Sequence, residues 1–327
     1  MSRVRWISVT VLVFLFGIVG CRTIEVSGPE GVEAEGPWWD VEKAEILVWE
    51  SDDPAFAQEM ALEGSGLVAH EGMLLAASEK YAELIFIDPE TLRVGTYSIG
   101  LPRYAEIEGI AVDGREILMC DEANAAVWAS ELPREKTDEI LEVRQLELVG
   151  FELPAGKLGV EGITVDPGPP HEVYLVLERQ GAEGEGCRAT IFKLQREGLG
   201  HLVASGAPLV IPLEDCNWRL TGLQFWNGRL LALKTRYPGE RYEVVVIDRK
   251  TGGLTTVMDM TDLLIGVRER GWGNNIEGVT VTEDGALWLI SDNAMTNRAE
   301  SLKPPKARQK TLLMRIPSLN LPALGTH

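Results

Sequence analysis

The sequence predicts an all-β chain folded as a five-bladed β-propeller, and three observations predict it. An acidic or polar residue, then Gly, then an apolar residue opens a short strand five times: Ser65-Gly66-Leu67, Glu108-Gly109-Ile110, Glu161-Gly162-Ile163, Thr221-Gly222-Leu223 and Glu277-Gly278-Val279. Successive copies lie 43, 53, 60 and 56 residues apart, enough for one small sheet each. After each copy a tight turn leads to a second apolar strand ending in charge: MLLAASEK, ILMCDE, VYLVLER, LLALKTR and LWLISDN. Strands repeated at this period mark a propeller with one copy per blade.

Taken in order, the chain opens with a targeting segment. Arg3 and Arg5 give residues 1–20 a basic start, and Ile7 to Val19 is an apolar run too short for a comfortable membrane span. It ends in Ile18-Val19-Gly20-Cys21, which resembles a bacterial lipobox whose Cys becomes the lipidated first residue. The alternative is an ordinary signal peptide with an incidental Cys21. Residue 22 is Arg, not the Asp that resembles an inner-membrane retention signal. The expected location is therefore the bacterial cell envelope, on the periplasmic side of the outer membrane, with the lipid anchor as the one membrane contact. Residues 21–44 are rich in Gly, Pro and Glu and read as a flexible tether, with Trp38 and Trp39 able to dock on the propeller.

Residues 45–318 are the propeller domain and 319–327 a tail. The apolar runs group in threes and fours. The first group is GLVAH, MLLAAS, ELIFID and VGTYSIG; the second is GIAVDG, EILMCDE, AAVWASE and VRQLELV. The third is GITVD, VYLVLE, TIFKLQ and PLVIPL; the fourth is GLQFW, RLLALK, YEVVVID and LTTVMDM. The fifth, GVTVT, ALWLIS and TLLMRIP, lacks a fourth strand. The early strand at 45–50 (EILVWE) supplies it by pairing with 311–317, which closes the ring and hides the sheet edges. A sixth, degenerate blade inside one of the long segments is the alternative count.

Loop length separates the two faces of the ring. The A–B and C–D turns are mostly short, with Gly or Asp-Gly chemistry (HEGM, VDGR, WNGR, TEDG). The long connections at 179–188, 259–275 and 292–310 all fall on the opposite face. Long loops gathered on one face of a repeat fold build its binding surface.

Bulk charge narrows the partners. Fifty acidic residues against 31 basic ones give a formal charge of −19, which repels nucleic acid and attracts cations. A monomer is expected. An exported chain permits disulfides. With Cys21 set aside, Cys120, Cys187 and Cys216 remain, so at most one bridge forms. Cys187 precedes the third strand of blade three and Cys216 follows its fourth, so antiparallel pairing makes 187–216 the expected bridge.

Strand A starts, and strand B ends, on the long-loop face. Glu108 is therefore expected near Asp121 and Glu122, Glu161 near Glu178, and Glu277 near Asp292. The inner strand lines the channel, so Glu108, Glu161, Glu277, Asp121 and Asp292 form a partial ring of carboxylates at its mouth. Such a ring either binds a cation or is costly in mutual repulsion. Oxygen ligands select Ca²⁺ or Mg²⁺. The four His residues show no metal-ligand spacing. The competing reading is structural, with each Glu bonded to a neighbouring blade. In blade four Thr221 replaces the Glu, and Lys234 and Arg236, with Arg179 of blade three, form a basic side suited to a small anionic ligand or a phosphoester. No GxSxG, HExxH, P-loop or CxxC motif is present.

The last blade carries a family resemblance. NNIEGVTVTEDGALWLISDNAM, followed by KTLLMRIP, resembles the closing blade of the esterase-like phytase family, matching at Asn275, Glu277, Gly278, Ser291, Asp292 and Asn293. EGIAVDG and LLALKTRY are similar to it too, and the EGIA-type strand openings also resemble the SdiA-regulated propeller family. Both resemblances imply an exported propeller. The first implies ester or phosphoester hydrolysis with calcium dependence. Two functions are therefore expected: a divalent-metal-dependent phosphoester or ester hydrolase, or a non-catalytic ligand-binding or envelope scaffold using the same face.

Overall fold

Most second strands of the repeat are apolar at nearly every position because both of their faces are covered. Met73–Ser78, Glu116–Asp121, Arg229–Arg236 and Leu287–Asp292 are buried along almost their whole length. Such strands must be sandwiched between sheets. In the computed structural model, which describes residues 38–319 apart from 59, 61, 134–138, 155–157, 182–185 and 294–309, they lie in five sheets. The expected targeting segment, Cys21 and most of the tether and tail lie outside the described residues.

Each blade is built on an antiparallel meander that starts at the channel. The inner strands are Gly64–His70, Ile107–Asp113, Val160–Val165, Trp218–Trp226 and Asn275–Val281. Five sheets rule out the six-bladed count. Tight turns join the first two strands: Glu71 and Gly72 have φ of 48° and 78°, and Asn227 and Gly228 have 47° and 74°. Two successive positive φ values suit a two-residue hairpin loop between twisted strands.

The core divides as the blades do. Five apolar clusters each span one pair of neighbouring blades, so the ring closes on itself. Leu67, Leu74 and Ile85 of blade one meet Trp288, Ile290 and Leu313 of blade five. Trp38 and Trp39 are buried beside Trp226 and Val281, at the junction of blades four and five. Trp39 Nε1 donates to Gly285 O at 2.9 Å.

Closure uses a shorter strand than 45–50. Glu45–Leu47 pairs antiparallel with Leu313–Ile316 in blade five. Glu50–Ser51 instead pairs parallel with Arg93 and Val94 in blade one. Trp49 lies between the two and is buried, and Gln58 Nε2 donates to Leu47 O at 2.8 Å. The segment is thus a strap from the last blade to the first. The run VRQLELV behaves alike: Val143–Gln145 belongs to blade two, whereas Glu147–Val149 pairs parallel with His201–Ala204 of blade three. Leu146, buried at the crossover, fixes the switch.

One long connection is helical. Thr261–Glu269 forms an α-helix between blades four and five, with Leu264 and Val267 in the core. Cys187 and Cys216 are joined by a disulfide with Cα atoms 5.1 Å apart.

Candidate functional site

The recurring Gly forms a waist in the channel. A Cβ on Gly109 would lie 2.7 Å from Gly162 Cα, and one on Gly222 would lie 2.4 Å from Glu277 O. Neighbouring inner strands touch backbone to backbone here, which only Gly allows. The space left there is about 10 Å³, room for one water, and is lined by Ser65, Glu108, Glu277, the five glycines and the apolar residue after each glycine.

Directly above the waist every inner strand carries a β-bulge. Pairing skips Glu108 between Ile107 and Gly109, Glu161 between Val160 and Gly162, and Glu277 between Ile276 and Gly278. It is also irregular between Gly64 and Leu67 and between Thr221 and Leu223. A bulge re-aims a side chain out of the regular alternation. Ser65, Glu108, Glu161, Thr221 and Glu277 therefore make one layer around the channel.

Register defines a second layer on the second strands. Gly64, Ile107, Val160, Leu220 and Ile276 each precede the theme residue, and they pair with Ser78, Asp121, Leu177, Lys234 and Ser291. The next residues, Glu79, Glu122, Glu178, Thr235 and Asp292, are the equivalent set on the opposite face. Glu79, Glu122 and Glu178 donate their N–H groups to Glu63, Glu106 and Gly159 O, while Thr235 pairs with Arg219 and Asp292 with Asn275. Blade four is neutral in both layers, with Thr221 and Thr235.

Carboxylates converge across these layers. Glu79, Glu277 and Asp292 each bring one oxygen to within 4.8 Å of the others, the spacing of a cation site. Glu108 and Glu161 are 7% and 8% exposed, and their carboxylates accept no hydrogen bond from a described residue. Burial, then the charges of Glu277, Asp292, Glu161 and Glu63, pushes Glu79 up to about 10. Burial and Asp292 push Glu277 up to about 7 against the opposing pull of Arg219 and Asn275. Glu108 and Glu161 are raised well above the carboxylate range, first by burial and then by their acidic neighbours, with Arg219 opposing the rise at Glu161. Carboxylates this crowded must be neutralised by protons or by a cation. The all-oxygen donor set fits a hard divalent ion.

Arg219 brings a positive charge into this cluster. It donates from Nη1 to Glu178 Oε1 at 3.0 Å, from Nη2 to Asn275 Oδ1 at 2.7 Å and Glu277 Oε1 at 3.2 Å, and from Nε to Thr235 Oγ1 at 3.0 Å. Asn275 Nδ2 donates to Glu277 Oε1 at 2.8 Å and Asp292 Oδ2 at 3.0 Å. Neither Glu79 nor Arg219 stood out in the sequence. The available signals were the acid ending MLLAASEK, and a base two residues before the one theme copy in which Thr replaces the acid.

Four expected site residues do other work, because each is one residue out of register. Asp121 is fully buried and accepts from Glu106 N, Asn124 N, Asn124 Nδ2 and Trp128 Nε1, so it fastens its own turn. Lys234 Nζ reaches Glu214 Oε1 at 2.6 Å and lies 4.0 Å from the Trp218 ring centre. Arg236 bonds Asp215 Oδ2 at 2.9 Å, and Arg179 donates to Cys216 O. These three cations clamp the segment before Arg219, beside the disulfide, rather than lining a basic rim. Cys120 is a buried thiol donating to Gly109 O at 3.5 Å, its acidity suppressed by burial.

No protein-family model matches the chain, and no curated protein matches it in sequence. Among solved structures, glutaminyl cyclase from Myxococcus xanthus is 16% identical over 85% of this chain and 97% of its own, with a TM-score of 0.49. A gluconolactonase from Xanthomonas campestris is 16% identical over 88% and 96%, with a TM-score of 0.44. Streptogramin B lyase is 11% identical over 84% and 98%, with a TM-score of 0.42. Similarity at this level does not bear on the chemistry of the mouth.

Proposed function

We propose that the channel mouth is a divalent-cation centre that hydrolyses an ester, carried by an exported, lipid-anchored propeller. The observation that carries this is the convergence of Glu79, Glu277 and Asp292 at the channel mouth, with Glu108 and Glu161 buried beside them and without hydrogen-bond donors among the described residues. Glu79, Glu277 and Asp292 would hold the ion, Ca²⁺ or Mg²⁺. Once bound, such an ion polarises an ester oxygen and lowers the pKa of an attacking water. Glu108 and Glu161 lie buried beside the ion site and would accept the proton of that water once the charge of the bound ion has drawn them into the ionised form. The glycine waist keeps the floor of the site closed to bulk solvent.

The resemblance of the last blade to the esterase-like phytase family supports ester chemistry. A carboxylic ester fits better than a phosphoester, because Lys234, Arg236 and Arg179 are all engaged by the 214–216 segment. An anionic phosphoester would meet the acids of the mouth with Arg219 as their counter-charge. One observation favours the second reading, a non-catalytic binding propeller: Arg219 and Asn275 already satisfy one oxygen of Glu277.

Metal analysis of the purified full chain, then a carboxylester and phosphoester panel with and without chelator, separates these. Chelator-sensitive carboxylester turnover is the expected result. Metal-free protein with no turnover on either panel would leave the binding reading in its place. The anchor is tested separately: Cys21→Ser should release the chain from membranes, and undiminished membrane binding would overturn lipidation.

A further inference from the structure

Arg219 occupies a position that its counterparts in the other blades fill with Glu63, Glu106, Gly159 and Asn275, two residues before each theme copy. It is 19% exposed and spends its guanidinium on blades three, four and five at once: Glu178, Thr235, Asn275 and Glu277. Glu277 Oε1 receives both Arg219 and Asn275, and the same carboxylate converges with those of Glu79 and Asp292. The fork is held from behind. Trp218 precedes it under Lys234, and Asp215 and Cys216 are clamped by Arg236, Arg179 and the disulfide. A cation so placed shares a ligand carboxylate with any ion that enters the mouth.

We infer that Arg219 is a resident cation of the mouth, a tethered counter-charge that competes with the divalent ion for Glu277 and so sets the affinity for that ion. The inference rests on the cation reading proposed above. Two positive charges on one buried carboxylate repel strongly where water is scarce, so removing one strengthens the hold on the other. Arg219 also donates to Asn275 Oδ1, so a variant that keeps a donor there lets Asn275 go on orienting Glu277 and Asp292.

The test is calorimetric titration of the full chain with CaCl₂, MgCl₂ or MnCl₂ at pH 9, where protons compete least. Arg219→Gln keeps a donor without the charge, and Arg219→Lys keeps the charge without the fork. Affinity should follow charge: about tenfold or more tighter in R219Q, and within about threefold of wild type in R219K. A merely structural Arg219 would weaken both variants alike, and that result, or no change in either, overturns the inference. Binding by R219Q alone supports the inference while removing ion dependence from the wild-type chain. Binding by neither protein overturns both the inference and the reading beneath it. Native near-ultraviolet circular dichroism confirms that each variant is folded, and R219K serves if R219Q is not: a loss of affinity beyond threefold in R219K then overturns the inference.

Discussion

Glu79 and Glu277 are carboxylates crowded by other carboxylates, with Arg219 and Asn275 on one oxygen of Glu277, whereas Asp121 is surrounded by donors alone. The difference predicts opposite behaviour on substitution. Glu79→Gln and Glu277→Gln should each weaken divalent-ion binding by about tenfold or more, read by calorimetry, since each removes a ligand charge. Asp121→Ala should leave ion affinity within about threefold yet cost about 1–3 kcal/mol in denaturant unfolding, because four part-buried hydrogen bonds lose their shared acceptor. The acids also set a pH dependence. A Glu whose folded pKa is raised stabilises the fold fully below its unfolded value near 4.5 and loses that contribution as pH rises toward the folded value. For Glu277 the loss runs up to about 7 and for Glu79 up to about 10. The metal-free chain should therefore melt at progressively lower temperature from about pH 5 to pH 10, and added Ca²⁺ or Mg²⁺ should flatten that slope. Below about pH 4 the sign reverses, as the lowered carboxyls of Asp88, Asp215, Asp248 and Asp284 become protonated.

At the scale of the strand, the bulge and the glycine after it act together. The bulge inserts the functional side chain, and the glycine lets the next blade approach. Gly222 has a φ of +33° and faces Glu277 O, so Gly222→Ala combines backbone strain with a backbone clash. It should cost about 3 kcal/mol in denaturant unfolding and disturb Glu277 directly. The Cys187–Cys216 bridge closes a loop with a sequence separation of 29 and belongs to the same support of blade four. Replacing both with Ser should cost about 3–4 kcal/mol on the chain-entropy model, measured by urea unfolding. Strand identity and turn type were legible in the sequence, because the apolar runs and the Gly-bearing hairpin turns are local. The bulges were not, since a bulge shows only against its partner strand.

For the molecule as a whole, the ring is held by five interblade clusters and a strap that joins the last blade to the first. Trp49 and Gln58 fix that strap, with Trp49 Nε1 donating to Phe56 O at 3.0 Å and Gln58 reaching both Leu47 O and Thr311 O. Deleting residues 45–51 should expose strand edges in blades five and one together. The expected outcome is an early, less cooperative thermal transition by differential calorimetry. An unchanged transition would show that the interblade clusters suffice without the strap.

By itself the sequence determined that this chain is a propeller of five repeats, that Gly recurs where the inner strands meet, and that acids recur beside it. Those are consequences of composition and period, and both are written locally. Only the tertiary structure decided which of two adjacent residues faces the channel. A strand shows successive side chains to opposite faces, so an error of one residue exchanges the whole set. That is why Glu79, Arg219 and Thr235 are at the mouth, while Asp121, Lys234, Arg236 and Arg179 are spent on turns and on the segment beside the disulfide. The register shifts at the bulges of Glu108, Glu161 and Glu277, which exist only between paired strands and so cannot be read from one strand alone.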